Sequence, residues 1–457
     1  MVMGGETGST IDGAPQVNPE RSSSSRLASG IPSSARPLCA GTGGPTELSE
    51  IACSTEPQCV WSLGDDLRMV ASPLGKVVPV GMADVFRVHL ASGRQIEVSR
   101  DQEFRTVTGW IPLRELEIGQ RLAIPRYIPK SIHGTQLADA EIILLAHMIG
   151  DGSCVKRQPI RYASIDEENL AAVTTAATHF GVTAIRDEYA AARCITLRLR
   201  APYRLGHGKR NPIAAWLDEL GLFGLRSYEK FVPSVIFDVG NDQVALFLRH
   251  LWATDGSVRW DEKGNQGRVY YASTSRRLVD DVAILLLRIG VHGRIKRVRK
   301  AGYRDCWFLT IDGVQNQTQF LSVAGVHGAR GESARRVLGE LLSLASNTNV
   351  DTIPKEIWVS VRQILASQGV TYREFAAAMN TKFCGSTLWK HGVSRSRLAK
   401  VAEFLDDDGL RVLATSDVFW DRVVDIVDAG SQEVFTGPVL GADNLVVDGI
   451  VVRQARQ

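Results

Sequence analysis

Alternating hydrophobic and polar residues mark two stretches of the chain, residues 61–126 and 418–452. In the first stretch, residues 85–90 and 95–98 alternate in this way on either side of a glycine-containing turn. Because successive side chains of a strand point to opposite faces, this pattern predicts a β-hairpin. The second stretch has the same character, with a turn predicted at Gly430. The pattern therefore predicts two all-β segments far apart in sequence.

The region between these segments contains an internal repeat. Each copy has a helical run ending in Asp-Gly-Ser, then Tyr-Ala-Ser, a second helical run, a Gly-Val pair and a strand. The separation from Ala163 to Gly181 and from Ala272 to Gly290 is 18 residues in both copies. The matching stretches are 144–153, 162–164, 180–182 and 194–197 in the first copy, and 248–257, 271–273, 289–291 and 307–310 in the second. The repeat predicts two equivalent half-domains, each with a helix, strands, a helix and a strand.

The remaining stretches follow neither pattern. Gly, Ser, Pro and Thr dominate residues 1–55, where few aliphatic residues are available for burial, so we expect a disordered tail. Helical runs at 361–368, 373–379 and 394–405, with Thr371 as a cap, predict a helical insert similar to a helix-turn-helix unit. The predicted layout is an α+β multi-domain protein with a tail at 1–55, β segments at 56–130 and 416–457, a duplicated domain at 138–330 and a helical insert at 350–408.

Composition narrows these possibilities. With 457 residues the chain is long enough for two or three domains. The formal net charge is only +3, so a DNA-binding surface would have to come from local clusters of Lys and Arg. Seven scattered cysteines lack the spacing of zinc ligands and predict a reduced, cytoplasmic protein. The sequence has neither an apolar run of about 18 residues nor a signal-peptide pattern, so we expect no membrane association.

The repeated helix end carries the candidate chemistry. Asp151 and Asp255 occupy the same place in the two copies, and Gly152 and Gly256 are expected to stop the helices by their backbone conformation. Small residues just before each aspartate, such as Gly150, would let the helices pack closely and bring the two carboxylates together. Paired carboxylates with substrate phosphate suit Mg²⁺ and hydrolysis of a phosphodiester in each DNA strand. The alternative is a simple cap and turn, which the duplication makes less favourable.

Over residues 138–330 the sequence resembles the LAGLIDADG homing endonucleases, which have a duplicated αββαββα order. The resemblance implies that Asp151 and Asp255 are catalytic, metal-binding residues. Active sites of this family often include a basic residue from a neighbouring strand, and Arg193 and Arg304 are the candidates by their position in the repeat. The motif departs from the family at several helix positions, among them His147, Trp252 and Thr254.

In the resembled family, β-strands form a saddle that lies in the major groove of double-stranded DNA. Basic residues at alternating strand positions would serve such a surface, and an ordinary solvent-facing charge is the alternative for each. The candidates are Lys156, Arg157, Arg161, Arg198, Arg200, Arg294 and Lys296. Because both half-sites lie in one chain, the resemblance implies a monomer.

The flanking β segments resemble the all-β Hint splicing domain of inteins, split by the endonuclease. Residues 98–126 are similar to an internal block of that family, but Ser99 replaces its threonine, and Gln102, which replaces its histidine, cannot act as an acid or base. In the closing block, one residue replaces a histidine and the next replaces the asparagine that cyclises. The residue after them has no nucleophilic side chain. These three positions are Arg453, Gln454 and Ala455.

The opening nucleophile block of the splicing domain is missing, since neither Cys53 nor Cys59 begins the expected strand. Parts of the helical insert resemble inteins of bacterial replicative helicases. Together these features predict a Mg²⁺-dependent, site-specific endonuclease of intein origin that has lost splicing. One alternative is a non-catalytic DNA-binding regulator, favoured by the helical insert and opposed by the retention of both aspartates. A decaying intein remnant is the other.

Overall fold

The computed structural model describes residues 29–41, 44–187, 194–206, 208–344, 350–381, 385 and 389–454. The N-terminal strands are β1 (Ile31–Pro32), β2 (Leu38–Cys39), β3 (Gly44–Pro45), β4 (Gln58–Leu63), β5 (Met69–Leu74), β6 (Val78–Leu90), β7 (Gln95–Ser99), β8 (Glu103–Thr106), β9 (Gly109–Pro112) and β10 (Arg121–Pro125). Helix α1 spans Leu48–Cys53, and a 3-10 turn spans Leu113–Glu115. Among the helices of the described residues, none combines the length and apolar character needed to cross a bilayer.

The duplicated region forms two half-domains with the same order of elements. The first contains α2 (Asp139–Gly150), β11 (Gly152–Ser153), β12 (Arg161–Ser164), α3 (Glu167–His179), β13 (Thr183–Asp187), β14 (Ile195–Arg200), α4 (Pro212–Glu219) and α5 (Val235–Asp238). The second contains α6 (Asn241–Asp255), β15 (Gly256–Asp261), β16 (Gln266–Ser273), α7 (Arg276–Arg288), β17 (Gly293–Val298), β18 (Cys306–Ile311), α8 (Val314–Val323) and α9 (Ala329–Leu342). Their antiparallel sheets have equivalent strand orders, β11-β12-β14-β13 and β15-β16-β18-β17, and α2 packs against α6.

Matching capping residues explain why the two copies fold alike. The side chain of Asp166 accepts a hydrogen bond from a backbone N–H in the first turn of α3, and Ser275 does the same for α7. Beyond the other ends of these helices, Gly181 and Gly290 adopt positive φ angles of 65° and 72°. A residue with a side chain rarely adopts this conformation, so glycine ends both helices at the same distance from their caps.

Short elements follow the second half-domain. They are β19 (Thr352–Ile353), α10 (Ile357–Ser367), α11 (Tyr372–Ala378), β20 (Val393–Ser394), α12 (Arg395–Leu405) and α13 (Asp408–Thr415). Thr371 caps α11 as the sequence predicts, because its hydroxyl accepts from the Glu374 N–H at 3.3 Å. The helices of the predicted insert are therefore present close to their expected bounds. A helix-turn-helix role for them stays a prediction.

The last strands return to the N-terminal sheets. They are β21 (Val418–Thr436), β22 (Asn444–Val447) and β23 (Ile450–Arg453). Strand β21 pairs with β1, β6 and β10, while β23 pairs with β8. The two β segments that the hydrophobic pattern marks therefore share their sheets and a hydrophobic core. The hairpin predicted at 85–98 is also present, as β6 and β7.

The turn predicted at Gly430 is wrong. Strand β21 continues through Gly430, and its pairing with β6 shifts register between Asp428 and Ser431. Gly430 has a φ of 80°, as expected for an irregularity within a strand rather than a chain reversal. Because β6 is long and continuous, β21 forms more backbone hydrogen bonds by continuing beside it than by reversing direction.

The disordered tail predicted at 1–55 is also wrong for residues 29–55, which form β1 to β3 and α1 except at the undescribed positions 42–43. The stretch has few aliphatic residues, but Ile31, Leu38 and Leu48 are buried in the hydrophobic cores. Partner strands from distant parts of the chain supply the remaining apolar surface, so composition alone underestimates the order of the segment. Residues 1–28 lie outside the described residues.

Candidate active site

Asp151 and Asp255 lie at the C-terminal ends of α2 and α6, the equivalent helices of the two half-domains. The Asp151 N–H donates to the His147 carbonyl at 3.0 Å, and Asp255 is the last residue of its helix. A strand begins directly after each aspartate. Each carboxylate therefore sits where a helix meets its sheet, as the repeat predicts.

The glycines after the aspartates serve a different purpose from the one the sequence predicts. Gly256 has a φ of −82°, and Gly152 is not among the described residues with positive φ, so the helix-stopping conformation predicted for them is wrong. A Cβ on Gly152 would overlap the backbone of Met148, and one on Gly256 would overlap Trp252. Glycine is needed because each strand starts in close contact with the last turn of its own helix.

The ends of α2 and α6 approach each other at Gly150. A Cβ on Gly150 would overlap the side chain of Thr254, so hydrogen is the largest substituent that this crossing accepts. The Thr254 hydroxyl donates to the Leu251 carbonyl within its own helix. The close packing that small residues predict is therefore present, and Thr254, a departure from the family motif, is the residue that Gly150 accommodates.

Burial and mutual repulsion act on the two carboxylates. Burial, followed by the charge of Asp255, raises the pKa of Asp151 to about 6, although Arg330 and Lys230 act in the opposite direction. Burial also raises the pKa of Asp255, again against Lys230 and Arg330. Two neighbouring acids with raised pKa values favour a nearby positive charge.

Lys230 is a site residue that the sequence interpretation missed. The residue is 5 % exposed, and its ammonium group donates to the carbonyls of Met148 and Gly152 at 2.8 Å and of Ile149 at 2.9 Å. It therefore neutralises the carbonyl end of α2, where the helix dipole is negative. Burial lowers the pKa of Lys230, while Asp255 and Asp151 are among the groups that raise it.

Arg330 occupies the corresponding place beside the second helix, because its guanidinium donates to the Ala253 carbonyl near the end of α6. Sequence reasoning missed this residue as well. The only signal for Lys230 in the sequence is its position directly before an apolar run. Arg330 lies outside both copies of the motif. Each cation bonds to the helix end of its own half-domain, 78 residues away in the sequence for Lys230 and 77 for Arg330, so no local motif reveals it.

The basic active-site residues suggested by the repeat are placed differently. Arg193 lies outside the described residues. Arg304 lies between β17 and β18, with its guanidinium carbon 3.9 Å from the ring centre of Tyr228. The catalytic role suggested for these two arginines stays a prediction, and Lys230 and Arg330 are the cations that act on both carboxylates.

The proposed DNA-contacting residues lie on or beside the two sheets. In β14, the exposed Arg198 and Arg200 alternate with buried leucines, and β17 shows the same pattern for Arg294 and Lys296. Arg161 on β12 is the register partner of Arg198. The other two candidates, Lys156 and Arg157, are exposed between β11 and β12. The shared strand faces that period two predicts are therefore present.

A metal ion at this site would have few protein ligands. Within the described part of the chain, no group of three or more His, Cys, Asp or Glu side chains is arranged to hold a metal. Asp151 and Asp255 remain as the carboxylates able to bind one; Asp151 is half-buried and Asp255 is exposed. Such a site fits an oxygen-preferring divalent ion whose other ligands are water and substrate phosphate.

Another departure from the family motif, His147, belongs to a buried polar contact between the helices. Its Nδ1 lies 2.9 Å from the Tyr162 hydroxyl, and its Nε2 lies 3.0 Å from Nδ1 of His250 on α6. Burial lowers the pKa of His147 to about 3 and that of His250 to about 2. Neutral imidazoles therefore link α2 to α6 without adding charge beside the aspartates.

The residues at the predicted splicing positions also converge. Ser99 accepts a hydrogen bond from the Gly30 N–H at 2.9 Å, and the Gln102 amide donates to the Arg453 carbonyl. Gln102 is fully buried and lies 3.5 Å from the Ser29 hydroxyl. The start of the β module, the internal block and the closing block thus meet at one place.

The closing residues are held in structural bonds. The Arg453 guanidinium pairs with Asp443 at 2.7 Å and with Glu103 at 3.3 Å, and the Gln454 side chain accepts from the Thr436 hydroxyl at 2.8 Å. Ala455 lies outside the described residues. Cys53 is exposed at the end of α1 and Cys59 lies in β4, apart from the strand β1 that meets Ser99 and Gln102.

Residues 242–325 match the family model of a LAGLIDADG-like domain. The chain is 34 % identical over 403 residues to the replicative DNA helicase DnaB of Synechocystis, covering 87 % of this chain but only 46 % of that protein. A Ssp DnaB mini-intein variant aligns with 21 % identity over 23 % of this chain and 67 % of its own, with a TM-score of 0.21.

A mesophilic variant of the homing endonuclease I-DmoI aligns with 13 % identity over 41 % of this chain and 94 % of its own, with a TM-score of 0.30. The comparisons confirm the resemblance to an intein that carries a LAGLIDADG endonuclease. The chain spans less than half the length of its DnaB relative.

Proposed function

We propose that this protein is a metal-dependent, site-specific endonuclease that cuts both strands of DNA. The observation that carries the proposal is the pair of aspartates, Asp151 half-buried and Asp255 exposed, at the ends of two packed, equivalent helices. The match of residues 242–325 to a LAGLIDADG-like domain supports the same assignment. Because two half-domains within one chain supply the pair, the proposed active form is a monomer.

Asp151 and Asp255 would hold the metal, and Mg²⁺ is the proposed ion. A bound divalent metal supplies an activated water and stabilises charge on the phosphate that reacts. The residues of the chain prepare the site for it. Lys230 and Arg330 hold the helix ends and, with their positive charge, favour the ionised carboxylates and an incoming phosphate.

The proposed DNA surface consists of the exposed sheet faces and a groove beside them. The groove has a volume of about 1030 Å³. It is lined by six basic residues, namely Arg157, Arg198, Arg200, Arg204, Lys209 and Arg210. Such a local cluster can bind a phosphate backbone even though the net charge of the chain is only +3. Arg294 and Lys296 would provide the equivalent contacts in the second half-domain.

The test is cleavage of a plasmid library with randomised inserts, with and without Mg²⁺. We expect linear products only with the metal, and their ends identify the target site. On that site, Asp151→Asn and Asp255→Asn should each abolish double-strand cleavage but leave binding within about threefold. Asp84→Asn, on an exposed position of β6, is the matched control and should cut normally.

Two results would contradict the nuclease assignment. Equal cleavage by the parent and the doubly substituted protein would place the active site elsewhere. Sequence-specific binding by the parent without cleavage at any metal concentration would favour the non-catalytic regulator, for which the helical insert at α10 to α12 would be the second DNA-binding element.

We further propose that splicing is lost. At the start of β1, Gly30 bonds to Ser99 and has no side chain, while the Ser29 hydroxyl contacts Gln102, which cannot act as a base. A Cβ on Gly30 would lie 2.8 Å from the Val434 side chain, so a cysteine or serine could not replace it without moving β21. At the other end, Arg453 and Gln454 replace the histidine and asparagine that the chemistry needs.

A further inference from the structure

A cavity of about 300 Å³ separates the β module from the second half-domain. The β module contributes β7, the β6–β7 turn and the turn between β22 and β23, and the other wall comes from α7 and Ile295 of β17. The two walls also bond directly, since the Ile295 N–H donates to the Ser92 carbonyl at 2.7 Å. The cavity is at the lower end of the volumes typical of small-molecule sites.

Five arginines line this cavity, and one of them is buried without a partner. Arg94 is 4 % exposed, and both terminal nitrogens of its guanidinium lack a hydrogen-bond partner among the residues that the structure describes. The side chain lies along the backbone of Gly449, where an added Cβ would come within 3.0 Å of Nε. An unpaired buried guanidinium is costly, so this position favours an anion that accepts from it.

Most acidic groups near Arg94 form ion pairs with other arginines. Arg36 pairs with Asp281, Arg87 pairs with Glu97, and Arg276 pairs with Asp280 at 2.8 Å. Arg277, the fifth arginine, lies over the ring of Phe231 at 4.2 Å.

Asp421 is close enough to influence Arg94, but its carboxylate accepts from the backbone N–H groups of Ser92 and Arg422. Asp448 is the other acid of the cavity wall. Burial and the charges of Asp280 and Glu97 raise the pKa of Asp448 to about 7, although Arg36 acts in the opposite direction. Near neutral pH a substantial part of Asp448 is therefore uncharged, and the cavity keeps an excess of positive charge.

We propose that this cavity binds a small phosphate-type anion, held by Arg94 between the β module and α7. Guanidinium groups match the oxygen geometry of phosphate and donate paired hydrogen bonds to it. The anion would provide the acceptors that Arg94 lacks and would join the two walls. This site lies on elements other than the ends of α2 and α6, so it is independent of the proposed nuclease site.

The experiment is calorimetric titration of the full chain with inorganic phosphate in a phosphate-free buffer at pH 7. We expect saturable binding to a single site. Arg94→Gln should weaken it at least tenfold, while Asp448→Asn, which removes an acid from the wall, should tighten it several-fold. Arg373→Gln, at an exposed position of α11, is the matched control and should bind as the parent does.

A second arm separates free phosphate from the phosphoryl group of a larger molecule. Tighter binding of a nucleoside monophosphate than of inorganic phosphate would identify a phosphorylated compound as the ligand class, and the reverse would identify the free ion. Circular dichroism checks that Arg94→Gln is folded. Absence of saturable phosphate binding, or equal binding by folded Arg94→Gln, would overturn the proposal.

Discussion

Two cations and two acids at the helix ends show how single residues are adjusted to their surroundings. Lys230 and Arg330 bond to backbone carbonyls instead of to the carboxylates, and this leaves Asp151 and Asp255 available to another ligand. The pKa values of both carboxylates are raised, which means that their ionised forms are less favourable here than in water. Under the proposed function, a bound divalent cation would stabilise both ionised carboxylates.

Asp151→Asn should therefore stabilise the metal-free protein at alkaline pH. Folding raises the pKa of Asp151 from 3.8 to about 6. The unfavourable effect of its ionisation on folding is therefore absent below pH 3.8, grows between pH 3.8 and 6, and is complete above pH 6. We expect the free energy of unfolding in EDTA to increase by up to about 3 kcal/mol at pH 8. The gain should be smaller at pH 5.

Urea unfolding at the two pH values measures this difference. Asp84→Asn, on the exposed part of β6, is the control and should change the stability little at either pH. An equal effect of Asp151→Asn at both pH values would show that the substitution acts through packing rather than through the charge.

The packing of α2 against α6 illustrates what one element requires of another. The two helices contact at Gly150 and Thr254, and the neutral His147 and His250 connect them further along the interface. Close approach positions the carboxylates, since both aspartates directly follow the crossing. The same elements could form with a larger residue at position 150, but the site between them could not.

Gly150→Ala should consequently separate the helices. We expect a loss of about 1–3 kcal/mol in the free energy of unfolding, together with loss of cleavage, because an extra methyl group overlaps the Thr254 side chain. Gly339→Ala on α9 is the matched control, since a Cβ there meets no atom within 4 Å. It should stabilise the protein by about 0.5–1 kcal/mol. Equal effects of the two substitutions in thermal denaturation would contradict the close approach.

At the scale of the whole molecule, the chain leaves the β module after β10 and returns to it with β21. This arrangement brings Gly30, Gln102 and Arg453 together despite their separation in sequence. The proposed splicing positions therefore meet in the folded chain, where their side chains form hydrogen bonds with one another and with neighbouring strands.

The protein placed between two reporter segments should remain intact, with no ligated product in mass spectrometry. Combined Gln102→His, Arg453→His, Gln454→Asn and Ala455→Ser should at most restore cleavage at the C-terminal side, because the opening nucleophile block would still be absent. A ligated product from the unmodified chain would show that other groups perform the reaction.

Local sequence was sufficient to predict the β hairpin, most helices and the internal repeat. Alternation predicted the β6–β7 hairpin, and the matching Gly181 and Gly290 reflect a backbone conformation that only local sterics impose. The aspartates could be found because duplication made a weak motif specific. These features depend on neighbours in the chain, which a sequence displays directly.

Tertiary structure decided the remainder. The segment at 29–55 is ordered because its strands have partners elsewhere in the chain, and β21 passes Gly430 because β6 continues beside it. Lys230 and Arg330 bond to carbonyls that lie 78 and 77 residues away in the sequence, each within its own half-domain, so they reach the helix ends only in the folded chain. The sequence determined what each segment could form, whereas pairing, close approach and desolvation depend on residues far away along the chain, and these interactions exist only in the folded molecule.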